Sequence, residues 1–400
     1  MKDRIIFHLD VNNAFLSWSA VDLLKHGYKK DIRKIPSIIG GDESRRAGIV
    51  LAKSPVAKEY GIKTAETIYA AKKKCPQVEL YPPYYELYSK MSHELFAYLK
   101  KYTPTIEQFS IDEAFLDMTG TNLLYKDHVK LAHTIKDDIK KRFGYTVNIG
   151  VANNKLCAKM ASDFEKPDKV HTLFDEEIEE KMWPLPVEKL FMCGKKSAEK
   201  LHSLNINTIG DLANTDIDYL YRYFKNQANF LIDSAKGIDN SRVIPRKERN
   251  IKNESISTSR TLRYDYTDID KLKEILFKQA ERLGRELRQK KKYTTTIGIV
   301  LKNNLFKSYS HQKKIEATNK NSDIYKTACE LLEKGWREDP IRLIGIRLAD
   351  LTTNRDVQLS FDSKEGSQEE AVIQEVMDKI NNKFGGSSVI PAAMKKRKEK

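Results

Sequence analysis

The chain has 400 residues, enough for two to four domains of roughly 100 to 200 residues each. Its 71 Lys and Arg outnumber 56 Asp and Glu, giving a net charge of +15 and a pI near 9.3, which suits a polyanionic partner: nucleic acid first, an anionic membrane surface second. No run approaches the roughly 18 apolar residues of a membrane span, Met1 to Val11 lacks the features of a signal peptide, and Cys75, Cys157, Cys193 and Cys329 lack zinc or disulfide spacing, so a cytoplasmic protein with reduced thiols is expected.

In chain order, Ile5 to Val11 predicts a strand buried on both faces and carrying a carboxylate, Asp10, near its end. A polar, basic stretch with Gly40 and Gly41, an apolar run from Gly48 to Ala52 and a lysine-rich helix ending near Cys75 predict a small inserted subdomain. Tyr85 to Tyr102 is patterned as a helix, Thr105 to Met118 as a strand, Leu131 to Phe143 as a helix and Thr146 to Ala152 as a strand. Asp175 to Gly237 is helical throughout, and Ile238 to Ser255, charged and without period, reads as a linker. Beyond it come a helical stripe from Leu272 to Leu287, a strand from Thr294 to Leu301, a helix from Ile324 to Leu332 and a strand from Ile341 to Leu348. One amphipathic helix carrying Val372, Val376, Ile380 and Phe384 precedes the basic tail Lys395 to Lys400. The fold class is therefore α+β and multidomain.

The chemistry centres on Ser110 to Asp117, where Asp112 and Glu113 sit side by side in an otherwise apolar pattern. Ionised groups there are costly unless paired or metal-bound. Side chains alternate along a regular strand, so the two acids can meet one cation only if a tight turn or bulge falls at that point, and the pattern shows none. With Asp10, they could hold two magnesium ions, with manganese as a substitute, about 3.5–4 Å apart. Each acid alone is more often just exposed or salt-bridged.

Three ordered segments carry a resemblance: His8 to Phe15 (HLDVNNAF), Ser110 to Asp117 (SIDEAFLD) and Asn148 to Pro167 (NIGVANNKLCAKMASDFEKP). Together they resemble the signatures of the Y-family DNA polymerases, of the bacterial polymerase IV type, while Ala52 to Lys58 is similar to the catalytic subunit of polymerase V. The resemblance spans roughly residues 4 to 350. It implies a right-hand polymerase: a palm of residues 1–15 and 75–170, fingers of 16–74, a helical thumb of 171–237 with a helix-hairpin-helix, a linker of 238–255, an α+β little finger of 256–353 and a C-terminal extension of 354–400. The metal ligands it implies are the side chains of Asp10, Asp112 and Glu113, which are also the catalytic acids, and the backbone carbonyl of Val11. Asn12, Asn13, Ala14, Phe15, Ser54, Lys58 and Lys166 are implied around the incoming nucleotide, with Phe15 as the steric gate that rejects a 2′ hydroxyl. Three positions depart from the pattern. A second acid often stands where this chain has Asn12, and Pro55 and Lys58 replace a tyrosine and an arginine; Ser54 could equally serve the turn beside Pro55.

For DNA, Gly194, Lys195 and Lys196 look like the phosphate-contacting part of the helix-hairpin-helix, although Gly194 could simply end a helix. Arg285, Arg288, Lys291 and Lys313, among neighbouring basic residues, would suit a phosphate-tracking surface. Gln358, Leu359, Ser360 and Phe361 partly resemble a sliding-clamp peptide, one apolar residue short. The expected activity is template-directed, low-fidelity DNA synthesis past lesions by a monomer using deoxynucleoside triphosphates on primer-template DNA. A two-metal nuclease, a nucleotide cyclase and a non-catalytic DNA-binding relative remain as alternatives.

Overall fold

The structure is a computed structural model that describes residues 4–42, 48–245 and 254–353, together with Val376, Met377, Lys379, Ile380 and Lys383. It divides into two units, one running through residue 245 and the other beginning at 254.

The first unit opens with β1 (Ile6–Val11), six consecutive buried residues, as the apolar run predicts. Asn13, in the left-handed conformation that Asn tolerates, turns the chain into α1 (Ala14–Lys25). There follow β2 (Ser37–Gly40), β3 (Val50–Lys53), the short helices α2 (Pro55–Glu59) and α3 (Ile68–Lys74), β4 (Glu79–Tyr81) and α4 (Tyr85–Leu99). Next come β5 (Ile106–Gln108), β6 (Glu113–Asp117), α5 (His128–Phe143), β7 (Val147–Ala152), α6 (Lys155–Ser162) and β8 (Val170–Leu173). A helical module closes the unit, with α7 (Ile178–Lys181), α8 (Lys195–His202), α9 (Ile209–Ala213), α10 (Ile217–Phe224) and α11 (Gln227–Ala235).

Two sheets result. The larger has the order β5-β6-β1-β7-β8, with β1 central and antiparallel to both neighbours; the smaller has the order β3-β2-β4. Helix α1 is apolar on two sides: Trp18 and Val21 join the core of the larger sheet, while Leu16 and Ala20 pack with Ile32, Ile39 and Ala52 beside the smaller. The helical module shares a core with α6, through Cys157, Met160 and Ala161 against Leu190, Leu201, Leu212 and Leu231.

Several expectations need correcting. Thr105 to Met118 is two strands, not one, because Phe109 and Ser110 turn the chain and both donate their N–H groups to the Glu113 carbonyl, at 3.0 and 3.2 Å. The stretch read as merely polar around Gly40 contains β2, all four residues of it buried. Two isoleucines between Ser37 and Gly40 are too short a run to show a period. The linker is anchored in its first part: Ile244 N–H donates to Glu107 Oε2 at 2.9 Å, Arg4 donates to the Ser241 carbonyl at 2.9 Å, and Val243 is buried.

The second unit contains β9 (Ile256–Tyr266), α12 (Ile269–Gln289), β10 (Tyr293–Asn303), β11 (Ser308–Thr318), α13 (Asn321–Gly335) and β12 (Ile341–Thr352). Its antiparallel sheet has the order β11-β10-β12-β9. The two outer strands show no clear strand pattern in the sequence because they are edges, rich in Ser, Thr, Lys and Arg, with few buried positions. The helical stripe of Leu272, Leu276, Leu283 and Leu287 packs with Ile299, Leu301, Ile344 and Ile346, as its 3.6-residue spacing predicts. The sliding-clamp peptide and most of the C-terminal helix lie outside the described residues. Among the described residues, no helix is long and apolar enough to cross a membrane.

One glycine sets the depth at which α6 meets the larger sheet. A Cβ on Gly150 of β7 would lie 2.0 Å from the Ala158 carbonyl oxygen and 2.6 Å from the Ser162 backbone nitrogen. Both are backbone atoms, so helix and strand would have to part. Gly150→Ala should therefore lower stability by about 1–3 kcal/mol, measured by urea unfolding; an unchanged midpoint would contradict the close approach.

Candidate active site

Asp10 lies one residue from the end of β1, directly opposite Glu113 on β6 and Asn148 on β7. Glu113 opens β6 straight after the turn, and the Asp112 carbonyl accepts the Val11 N–H at 3.1 Å. The turn that the alternation argument required is thus present, and Ser110 builds it. Its hydroxyl accepts the N–H groups of Asp112 and Glu113, at 3.2 and 3.0 Å, and donates to Asp112 Oδ1 at 2.5 Å. The predicted residues Asp10, Val11, Asp112 and Glu113 are therefore brought together.

Two lysines close the cluster. Lys159 of α6, only 8 % exposed, donates to Glu113 Oε1 at 2.7 Å and reaches Asp10 Oδ2 at 3.4 Å. Lys166 donates to the same Asp10 oxygen at 2.8 Å and pairs with Asp163 at 2.7 Å. Lys159 falls within the third motif, but the sequence assigns it no role; its one local signal is the helical spacing of four from Asp163, with which it pairs at 3.3 Å.

The electrostatics follow from burial. Burial pushes the Asp10 carboxyl upward, but Lys166 and Lys159 outweigh it and hold the group below its usual range. Burial, together with a hydrogen bond to Asp10, raises Glu113 to about 7. Asp112 is raised by burial and by the charge on Asp10, against the opposing Ser110 hydrogen bond. Burial opposes the charge on Lys159, yet Asp10 and Glu113 raise its pKa. Four carboxylates, counting Asp163, face two ammonium groups, so negative charge remains in excess. Among the described residues, no three His, Cys, Asp or Glu side chains are gathered tightly enough to form a finished ion site.

The other predicted residues divide. Phe15 is half-buried, its ring stacked on Tyr88 with centroids 4.3 Å apart and met edge-on by Tyr85 at 6.0 Å. Asn13 is exposed and Ala14 buried at the start of α1. The Asn12 side chain is turned inward, donating to Asn148 Oδ1 at 3.0 Å and accepting the Asp168 N–H at 3.0 Å, so it offers a nucleotide nothing directly. Ser54 is corrected too: its buried hydroxyl caps α2 through the Ala57 N–H at 2.9 Å and donates to the Ile35 carbonyl at 2.7 Å. Lys58 is exposed on α2.

Gly194 stands at the N-terminal cap of α8 and does not end a helix; Lys195 and Lys196 are exposed in the first turn, where N–H groups lack helical partners. In the second unit Lys291 is exposed, Lys313 pairs with Glu330 at 2.8 Å, and Arg285 is half-buried. Arg288, half-buried, donates to the Asn319 carbonyl at 2.6 Å and to Asn321 Oδ1 at 3.1 Å, bracing α12 against the start of α13.

Residues 9–163 match the impB/mucB/samB family, and residues 253–361 match the C-terminal domain of that family. A DNA polymerase IV of Clostridium acetobutylicum is 45 % identical over 99 % of this chain and 100 % of its own length. A DNA polymerase IV of Clostridium kluyveri is 35 % identical over 98 % of this chain and 99 % of its own. Among solved structures, a Y-family DNA polymerase chimera, Dbh-Dpo4(243-245)-Dbh, superposes with a TM-score of 0.75 over 88 % of this chain and 100 % of its own; at 24 % identity it speaks to the fold.

The raised Glu113 carboxyl has a measurable consequence with divalent ions chelated. The folded chain holds this proton to about pH 7, against 4.5 for an ordinary glutamate. Folding therefore takes up a proton between those values, and the stability contributed through Glu113 falls as pH rises across that window and levels off above it. In melting curves recorded across the same window, Glu113→Gln should remove this part of the slope; an identical slope in both proteins would contradict the assignment.

Proposed function

We propose, from the premise that this chain belongs to the Y family of DNA polymerases, of the DNA polymerase IV type, and is a translesion DNA-directed DNA polymerase, that Asp10, Asp112 and Glu113 are its catalytic carboxylates. The observation that carries the assignment is the Asp10–Glu113 cross-strand pair, set beside Asp112 by the Ser110 turn. The nuclease, cyclase and non-catalytic alternatives, open on the acids alone, give way to the polymerase relatives that match the whole chain.

The family depends on divalent metal, and the donor set here fits it: all the candidate ligands are oxygens, they carry excess negative charge, and Glu113 shares its one lysine with Asp10. Oxygen-only coordination favours magnesium, with manganese as a substitute. Asp10, the Val11 carbonyl, Asp112 and Glu113 would hold two such ions, whose chemistry is to make the primer 3′ hydroxyl a nucleophile and to stabilise the charge of departing pyrophosphate. Lys159 keeps Asp10 and Glu113 ionisable side by side, because its buried ammonium offsets their repulsion. Lys166, 36 % exposed at the rim of the cluster, supplies positive charge for the incoming triphosphate. The α1 N-terminus, with Asn13 and Ala14, offers backbone N–H groups to the same phosphates. Phe15, braced by Tyr85 and Tyr88, is the steric gate under the sugar.

DNA is the substrate. For its grip we propose the α8 N-terminus with Gly194, Lys195 and Lys196, and in the second unit Arg285, Lys291 and Lys313. We assign the palm, fingers and thumb to the first unit and the little finger to the second, and we propose a cytoplasmic monomer that docks on the sliding clamp through Gln358 to Phe361.

The decisive measurement is insertion of a single nucleotide on primer-template DNA. Asp112→Ala should fold, bind DNA and lose insertion to background; retained insertion would remove Asp112 from the site. Phe15→Ala should raise ribonucleotide incorporation relative to deoxyribonucleotide, and an unchanged ratio would reject the gate. Replacing both Lys195 and Lys196 by Ala should lower the slope of log affinity for DNA against log salt by about two, read by fluorescence anisotropy.

A further inference from the structure

Beneath the acidic cluster, two amides form a clamp. Asn148 is fully buried on β7, opposite Asp10. Its Nδ2 donates to the Ser162 carbonyl at 3.1 Å and the Glu165 carbonyl at 2.6 Å. Its Oδ1 accepts from Asn12 Nδ2 at 3.0 Å and from the Lys169 N–H at 3.3 Å. Backbone carbonyls only accept, so the orientation of Asn148 is forced. Asn12 must then present its N–H to Asn148 and its oxygen to the Asp168 N–H, 3.0 Å away. The two side chains thus grip the segment 162–169 at Ser162, Glu165, Asp168 and Lys169. Lys136 and Lys140 hold the Asp168 carboxylate as well, at 3.0 and 2.7 Å. Lys166 stands in the middle of the gripped stretch, with its ammonium on Asp10.

This explains an amide where a second acid often stands. An aspartate at position 12 could still accept the Asp168 N–H, but it could not donate to Asn148, and two buried acceptor oxygens would face each other. Position 12 requires a group that donates at one end and accepts at the other. The backbone of Asn12 is engaged too, its N–H on the Thr146 carbonyl at 3.0 Å and its carbonyl on Ser17 Oγ at 2.6 Å.

We propose that Asn12 and Asn148 are positioning residues for the incoming nucleotide: they fix the loop that carries Lys166, so that its ammonium waits at the rim of the carboxylate cluster where the triphosphate binds. The inference rests on the reading of Lys166 as a triphosphate contact. It makes Asn12 a loop clamp, not a metal ligand that has lost its charge.

Steady-state insertion of a deoxynucleotide by the full chain tests it. Asn12→Ala keeps three of the four hydrogen bonds of Asn148, so the folded sheet should survive, and melting curves check this. Asn12→Ala and Asn12→Asp should each raise KM for the deoxynucleotide by about tenfold while kcat changes by less than about threefold, with affinity for primer-template unchanged. In a Lys166→Ala background, Asn12→Ala should add less than about twofold, because the lysine it positions is gone. Full additivity with Lys166→Ala would overturn the proposal. So would a fall in kcat at constant KM, or an Asn12→Asp variant that works better than the parent, as a restored metal ligand would. If Asn12→Ala melts before assay temperature, Asn148→Ser in the same cycle decides by the same criteria. Should Lys166→Ala alone leave KM unchanged, the triphosphate reading of Lys166 is what fails, and this inference falls with it.

Discussion

The structure depends on accommodating carboxyl groups at the end of a buried central strand. Each ion removed from water costs several kcal/mol unless opposite charge and hydrogen bonds replace its hydration. Asp10 has both, from Lys159 and Lys166, and its pKa falls. Glu113 is less well served, with one lysine and a carboxyl neighbour, and its pKa rises. The two facing acids are thus treated unequally, Asp10 within reach of two lysines and Glu113 of one.

Much of the surrounding architecture serves that arrangement. Gly150 lets the α6 backbone rest on β7, and α6 then delivers Lys159 to the acids and Ser162 to His8, whose Nδ1 lies 2.8 Å from the Ser162 hydroxyl. The Ser110 turn is needed because a regular strand would send Asp112 and Glu113 to opposite faces. Helix α1 carries Phe15 and is packed on two sides, so this ring is held by aromatic neighbours and not by a loop. Asn154, Lys155 and Glu107 bind the chain between Gly237 and Ile244 to the same sheet.

The net charge of +15 overstates what faces a polyanion. Lys136 and Lys140 brace Asp168, Arg33 clasps Asp31, and Arg288 ties two helices of the second unit. Such residues act as internal struts whose charge is already balanced or whose donors are already engaged. Lys195, Lys196 and Lys291 are instead exposed, beside open backbone or at an element end, with Lys195 within 3.7 Å of Glu199.

The sequence by itself determined the central strand, the helical module, the α12 stripe and the carboxylate trio, because these rest on local periodicity and on residue types that are costly to bury. It also carried the resemblance that named the family. It did not reveal β2, β9 or β11, whose short or polar composition becomes strand only through pairing with neighbours. It could not say that Lys159 closes the cluster, that the hydroxyl of Ser54 is committed inward, or that Asn12 and Asn148 share a hydrogen bond across 136 residues. Those facts depend on which side chains meet after the chain has folded, and an amide or a lysine looks the same in sequence whether it faces water or a buried acid. Only the tertiary structure decided them.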